Sequence, residues 1–81
     1  MASEEFVVTY DIVGKENDAK LLADIRAKGG IHVQKSVWYL NGTYTCSGLR
    51  DHFKTLVGDD DRLLVVRITD WSTRKPISQI P

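Results

Sequence analysis

The chain has 81 residues, of which 42% are hydrophobic and 27% charged, and its 11 basic and 11 acidic side chains cancel to a net charge of zero. This size predicts one domain over residues 1–81 with a single small hydrophobic core. The single cysteine, Cys46, excludes an internal disulfide and a metal site built from several cysteines. The balanced charge excludes a surface that is basic throughout, so a nucleic-acid site would have to be a local patch.

The N-terminal residues lack the basic and apolar stretches of a secretory signal peptide. The sequence also lacks an apolar run of the roughly 18 residues that a membrane-spanning helix needs. We therefore expect a cytoplasmic protein that does not associate with a membrane.

Residues 5–11 predict the first strand, because they form a short run of bulky and β-branched side chains that ends on a carboxylate, Asp11. After a polar loop, apolar residues at helical spacing predict a helix. Asn17 or Asp18 is suited to cap its first turn, and the helix is expected to run to about residue 28, where Gly29 and Gly30 stop it.

Residues 31–40 predict a second strand whose two faces both mix apolar and polar side chains. The Asn41-Gly42 pair that follows is a strong hairpin signal, because both residues tolerate positive φ. Residues 43–46 are then expected to form the returning antiparallel strand.

A second helix is predicted over residues 48–57, with Ser47 as its cap and a buried apolar stripe along one side. Residues 62–69 alternate between two apolar faces and predict a last strand. The tail, residues 70–81, is too apolar for a simple linker, and Pro76 restricts it to an edge strand or an extended arm.

This β-α-β-β-α-β order predicts an α+β, ferredoxin-like fold: a four-stranded antiparallel sheet with both helices on one face. The first and third strands are then central, and the first strand exposes either Val7, Thr9 and Asp11 or the opposite set on the uncovered face. An uncovered sheet face favours a homodimer packed sheet to sheet. The tail could then add a strand to the partner's sheet.

Asp11 is the first candidate for chemistry. A carboxylate at the end of a central strand can ligate a hard cation such as Mg²⁺, and two copies across a dimer axis can share one ion whose bound water attacks a phosphodiester. The alternative is that Asp11 only starts the following turn by accepting hydrogen bonds from nearby N–H groups.

Three residues of the second strand are further candidates. His32 can contact phosphate or act as an acid or base, or it can be purely structural. Ser36 would need a base and an oxyanion hole to act as a nucleophile, and otherwise is an ordinary strand hydroxyl. Trp38 can stack on a nucleic-acid base, or it can pack in the core or at a dimer interface.

Two stretches resemble the CRISPR-associated protein two family. Residues 7–12, VVTYDI, resemble the family's opening strand, and residues 32–38, HVQKSVW, resemble a second strand that the family carries about 20 residues later. An acidic turn followed by an apolar strand, residues 59–68, also fits. The similarity covers most of residues 5–70, and small stand-alone relatives such as the virulence-associated protein D toxins share the fold and the opening strand.

The resemblance implies a ferredoxin-like homodimer, joined by C-terminal strands, in which Asp11 matches a metal-associated aspartate paired with its twin. It implies a magnesium-dependent endonuclease acting on RNA or double-stranded DNA in spacer acquisition or defence, with Mg²⁺ shared across the dimer. The alternatives are a non-catalytic adaptor that binds nucleic acid beside an integrase, or a catalytically silent protein-interaction module. The residues expected to contact nucleic acid are Tyr10, Lys20, His32, Ser36 and Trp38.

Overall fold

The computed structural model describes residues 3–13, 19–74 and 77. Within them the chain forms four strands, two α-helices and a short 3₁₀ helix. Their bounds are β1 (Glu4–Asp11), α1 (Ala19–Ala27), β2 (Ile31–Gln34), β3 (Val37–Gly42), α2 (Cys46–Phe53), the 3₁₀ helix (Lys54–Leu56) and β4 (Arg62–Ile68). The predicted order of elements is confirmed, and the helix cap predicted at Asn17 or Asp18 lies outside the described residues.

The four strands form one antiparallel sheet in the order β2-β3-β1-β4. β1 and β3 are therefore the central strands, as the ferredoxin-like prediction requires. Val8 of β1 lies opposite Trp38 on one side and Val65 on the other, so these three side chains point to the same face. This face carries the helices, and we call it the helix-bearing face.

The hydrophobic core lies between the helix-bearing face and the two helices. Each fully buried aliphatic or aromatic side chain contributes about 1.5–3 kcal/mol by leaving water. The buried core residues are Phe6, Val8, Leu21, Ile25, Trp38, Leu40, Leu49 and Phe53.

The hairpin lies elsewhere than predicted. The chain turns at Lys35 and Ser36, so residues 31–40 form two strands rather than one, and the prediction of a turn at Asn41-Gly42 is wrong. Asn41 and Gly42 instead lie opposite Glu5 and Glu4 as paired residues of β3. Ending the strand at Gln34 lets residues 37–42 pair with β1 and place Trp38 and Leu40 in the core.

Gly42 has a different role from the one its place after Asn41 indicates. A Cβ atom at this position would collide with the ring of Tyr44, so the glycine is required by close packing rather than by a turn.

The second helix begins earlier than predicted. Residues 43–46 form no returning strand, since α2 starts at Cys46 and Thr45 is its cap. The Thr45 backbone is extended, and its hydroxyl accepts a hydrogen bond from the Gly48 N–H at 3.0 Å. Ser47 therefore lies inside the first turn and is not the cap.

The opposite face of the sheet, the open face, carries Val7, Thr9 and Asp11 of β1, which settles the alternative left by the sequence. Leu64 and Val66 of β4 lie on this face and are 55% and 36% exposed. The other half of the open face, along β2 and β3, is covered in part by the C-terminal segment, whose Trp71 stacks on Tyr39.

Candidate nucleic-acid and metal site

The C-terminal end of β1 meets the turn between β2 and β3 and the start of β4, and we call this place the Asp11 end of the sheet. The Tyr10 N–H donates to the Ser36 carbonyl at 3.3 Å. Asp11 lies opposite Arg62 in the ladder between β1 and β4. The antiparallel sheet therefore brings together residues that are up to 52 positions apart in the sequence.

Asp11 projects into water. Its side chain is 69% exposed, and its Oδ2 atom lies 3.6 Å from Nη1 of Arg62, which is itself exposed. An exposed ion pair of this length contributes little to stability, because water screens it. The carboxylate is thus accessible to a cation from solution, in competition with Arg62.

The metal-ligating side chains near Asp11 are few. The described residues contain no group of three or more His, Cys, Asp or Glu side chains arranged to hold a metal ion. Asp11 offers a hard oxygen ligand of the kind that Mg²⁺ takes, but Mg²⁺ requires about six oxygen ligands in octahedral geometry. The described part of one chain therefore supplies fewer than three such ligands, and the remainder would have to come from water, nucleic-acid phosphates or a second chain.

Tyr10, His32 and Trp38 form a connected aromatic cluster at the Asp11 end, on the helix-bearing face of the sheet. The Trp38 indole N–H donates to the Tyr10 hydroxyl at 3.2 Å, and the hydroxyl donates to the Lys35 carbonyl at 3.5 Å. The His32 ring stacks on Trp38 with centroids 4.3 Å apart and planes within 4°, and its Nε2 lies 3.1 Å from the same carbonyl. Because two side chains converge on one carbonyl of the turn, the cluster holds the β2–β3 turn against β1.

Burial decides what Trp38 can contact. It is only 2% exposed, and the Arg26 guanidinium lies 5.3 Å from its ring centroid, a cation–π contact. A side chain this deep offers no ring face on which a base could stack, so the packing alternative describes Trp38.

The other nucleic-acid candidates are more accessible. Ser36 is half-buried in the turn, where its carbonyl accepts the hydrogen bond from Tyr10. Lys20 is exposed in the first turn of α1, a separate element from the cluster. The structure thus brings Tyr10, His32, Ser36 and Trp38 together at the Asp11 end, with the three rings on the face opposite to the Asp11 side chain, and places Lys20 on the helix layer.

Asp61 holds the segment that follows β1 in place. It was not singled out from the sequence as a site residue. Its Oδ1 accepts from the Val13 N–H at 2.8 Å and its Oδ2 from the Gly58 N–H at 2.7 Å. The carboxylate therefore ties the segment after β1 to the turn before β4. The signal for it was an aspartate in a Gly-containing turn, where Asp side chains commonly accept backbone N–H groups.

The zero net charge conceals two regions of opposite sign. Residues 19–58, which contain both helices and the β2–β3 turn, carry six basic and two acidic side chains, a net charge of +4. Residues 3–13 and 59–74, which contain β1, β4 and the segment after it, carry three basic and seven acidic side chains, a net charge of −4. Five of these six basic side chains lie in or directly after the helices, which makes the helix layer basic, and the sixth, Lys35, lies in the β2–β3 turn.

One charged network ties the two helices together on this basic surface. Asp24 of α1 lies 3.1 Å from Lys28 Nζ and 2.9 Å from Nε2 of His52 on α2. Burial acts to raise the pKa of Asp24, but the hydrogen bonds and charges of Lys28 and His52 outweigh it and hold that pKa below its usual value. Asp24 therefore stays ionised and offsets part of the positive charge around it.

A sequence profile of the family described as CRISPR associated protein Cas2 matches residues 5–75. The chain belongs to this family. The match runs from β1 through β4 into the following segment and includes every candidate site residue. The resemblance inferred from the sequence is confirmed, and membership in the Cas2 family gives the chain a CRISPR-associated role with partners in a CRISPR system. Within the part of the chain that the structure describes, no helix is long and apolar enough to cross a membrane.

Proposed function

We propose that this Cas2-family protein binds nucleic acid through its helix layer as a homodimeric adaptor in spacer acquisition or defence, beside a CRISPR-associated integrase. The observation that carries the proposal is the concentration of positive charge in residues 19–58. Lysines and arginines that neutralise phosphates release counterions, which supplies most of the affinity of sequence-independent binding.

Three lysines define this basic surface for an experiment. Lys20 on α1, Lys35 in the β2–β3 turn and Lys54 after α2 are all exposed and lie on three separate elements. Their positions allow the protein to contact the phosphate backbone of a nucleic-acid duplex at several points.

The test compares two triple variants of equal net charge. The lysine triple carries Lys20→Gln, Lys35→Gln and Lys54→Gln, and the arginine triple carries Arg62→Gln, Arg67→Gln and Arg74→Gln on β4 and the segment after it. Affinity for a labelled DNA duplex and for an RNA of matched sequence is measured across a salt series. We expect the slope of log K against log salt to fall by about 1 for each phosphate contact removed in the lysine triple, and to stay unchanged in the arginine triple.

Two results would count against this proposal. Equal losses in both triples would mean that overall charge, not the helix layer, governs binding. Absence of binding by the unmodified protein at low salt would favour the third alternative, a silent protein-interaction module.

A second candidate function is a magnesium-dependent endonuclease, favoured by the exposed Asp11 carboxylate on the open face. Two chains packed through their open faces would bring two Asp11 side chains to one interface, where they could share an ion. Bound Mg²⁺ would supply a polarised water for attack on a phosphodiester. Asp11 would bind the ion, Arg62 would have to release Asp11 for that purpose, and Tyr10 would help to hold the end of β1 in place.

The endonuclease proposal is tested with Asp11→Asn, which keeps the shape of the side chain and removes its charge. Asp70→Asn, in an exposed aspartate after β4, is the control. Cleavage of DNA and RNA is measured with and without Mg²⁺, together with nucleic-acid affinity. We expect Asp11→Asn to abolish Mg²⁺-dependent cleavage while affinity is retained, whereas cleavage that survives in Asp11→Asn would remove this candidate and leave the adaptor.

A further inference from the structure

Two nitrogen atoms from different parts of the helix layer lie against one carboxylate oxygen. Oδ2 of Asp24, on α1, is 3.1 Å from Nζ of Lys28, the residue directly after α1. The same oxygen is 2.9 Å from Nε2 of His52 on α2. The two nitrogens are themselves 3.5 Å apart. The three side chains therefore form a closed triangle that joins the two helices.

The hydrogen atoms of this triangle follow from its chemistry. The lowered pKa of Asp24 keeps its carboxylate ionised, so its oxygens only accept hydrogen bonds. The Lys28 ammonium only donates, and His52 Nε2 must carry a hydrogen in order to bond to Asp24. Lys28 and His52 are thus two donors that converge on a single oxygen. Such a pair suits any anionic oxygen, because hydrogen bonds to a charged acceptor are stronger than those to a neutral one.

We propose that Lys28 and His52 form a subsite for one nucleic-acid phosphate, and that Asp24 occupies this subsite until a phosphate replaces it. The inference rests on the proposed function and adds a restraint to it, since Asp24 then competes with nucleic acid for the two donors. A backbone phosphate carries one negative charge and accepts hydrogen bonds, as the carboxylate does. Lys28 and His52 can therefore exchange one acceptor for the other without losing a bond.

The triangle is accessible to a ligand from solution. The side chains of Lys28, Asp24 and His52 keep 23%, 26% and 46% of their surface exposed. A phosphate can reach the donors without opening the hydrophobic core. Ion pairs in contact with water are weak, so Asp24 can be displaced. A nucleic acid has a further advantage over Asp24, because its other phosphates release counterions when they meet the lysines of the helix layer.

The test is a double-mutant cycle on the affinity for a labelled DNA duplex at low salt. Asp24→Asn keeps the shape of the side chain and removes the competing charge. Asp51→Asn is the control, since it removes an equal charge from α2, where Asp51 pairs with Arg50 at 3.0 Å. Each substitution is measured alone and together with Lys28→Gln. We expect Asp24→Asn to tighten binding by about 2- to 5-fold, and to lose this gain when Lys28→Gln is present.

The control separates a subsite from the general effect of charge. Asp51→Asn should change the affinity by the same factor with and without Lys28→Gln. An affinity that is unchanged or weaker in Asp24→Asn would overturn the subsite. A gain that survives in full beside Lys28→Gln would overturn it as well, because Asp24 would then act only through its long-range charge.

A second measurement uses sulfate as the probe and needs no nucleic acid. The chain has two histidines, and NMR follows both ring signals while sulfate replaces chloride at constant ionic strength. We expect sulfate to shift the His52 signal and to saturate it at about 2- to 5-fold lower concentration in Asp24→Asn. A His52 signal that does not respond in either protein would overturn the subsite, and so would equal shifts of His52 and His32, which would indicate adventitious binding.

The sulfate measurement also keeps this inference separate from the proposed function. The proposed function fails if the lysine and arginine triples lose affinity equally or if the unmodified protein does not bind at low salt. The subsite fails if sulfate does not select His52, and that result does not depend on how the protein binds DNA or RNA.

Discussion

The two faces of the sheet carry similar apolar residues but bury them to very different extents. On the helix-bearing face, leucine, valine and aromatic side chains are sealed under α1 and α2, and the outer surface of the helices is basic. On the open face, leucine and valine side chains remain in contact with water beside the acidic end of β1. The comparison shows that the sheet alone cannot bury both of its faces, so the open face is left for other contacts while the helix layer presents charge.

The largest expected difference between the faces is in stability. Leu40→Ala on the helix-bearing face should lower the free energy of unfolding by about 2–5 kcal/mol, because it opens a cavity at a fully buried position. Leu64→Ala on the open face should change it by about 0.5 kcal/mol or less, because that side chain is already 55% exposed. Urea unfolding of both variants at low protein concentration measures the difference, and similar losses would mean that the open face is covered in the monomer.

The next largest expected effect is on stability and comes from the aromatic cluster at the Asp11 end. Tyr10→Phe removes the hydroxyl that accepts the Trp38 indole N–H and leaves that buried donor without its partner, which should cost about 1–3 kcal/mol. Tyr44→Phe is the control, since the Tyr44 ring packs edge-on against Phe6 and its hydroxyl does not serve the indole. Thermal unfolding of both variants measures the difference in stability. Equal effects of the two substitutions would contradict this account.

The smallest expected effect concerns the charged network between the helices. The lowered pKa of Asp24 means that its contribution to stability is present above the ordinary carboxyl pKa of about 4 and is lost as the pH falls below it. Asp24→Asn should therefore cost about 0.5–1 kcal/mol at neutral pH and make unfolding less sensitive to acid. Asp59→Asn, in the exposed turn before β4, should leave the acid dependence as it is, and urea unfolding between about pH 2 and 7 compares the two.

The order of elements and the buried faces could be predicted because they follow from local patterns. The alternation in β1 and β4 and the helical spacing in α1 and α2 identify the core side chains without knowledge of the partners. The hairpin could not be predicted in this way. Asn41-Gly42 is the stronger local turn signal, but the true turn at Lys35 and Ser36 depends on His32 reaching Trp38 and on the irregular pairing around Val33.

The candidate site was predictable in part for the same reason. The exposed position of Asp11 follows from a charge at the end of an apolar strand. The burial of Trp38 depends on its register against Val8, and the tie from Asp61 to Val13 spans 48 positions, so neither is visible locally. The segregation of charge could have been found from the sequence, because the basic side chains are concentrated in residues 19–58.

The most direct test of the two-face account is side-chain footprinting with a reagent that labels all residue types. The protein is labelled when dilute, when concentrated, and with a DNA duplex bound. We expect concentration to protect Leu64 and Val66 of the open face, and the duplex to protect Lys20 and Lys54 of the helix layer and Lys35 of the β2–β3 turn. Protection of β4 by the duplex, with the three lysines still labelled, would contradict the account.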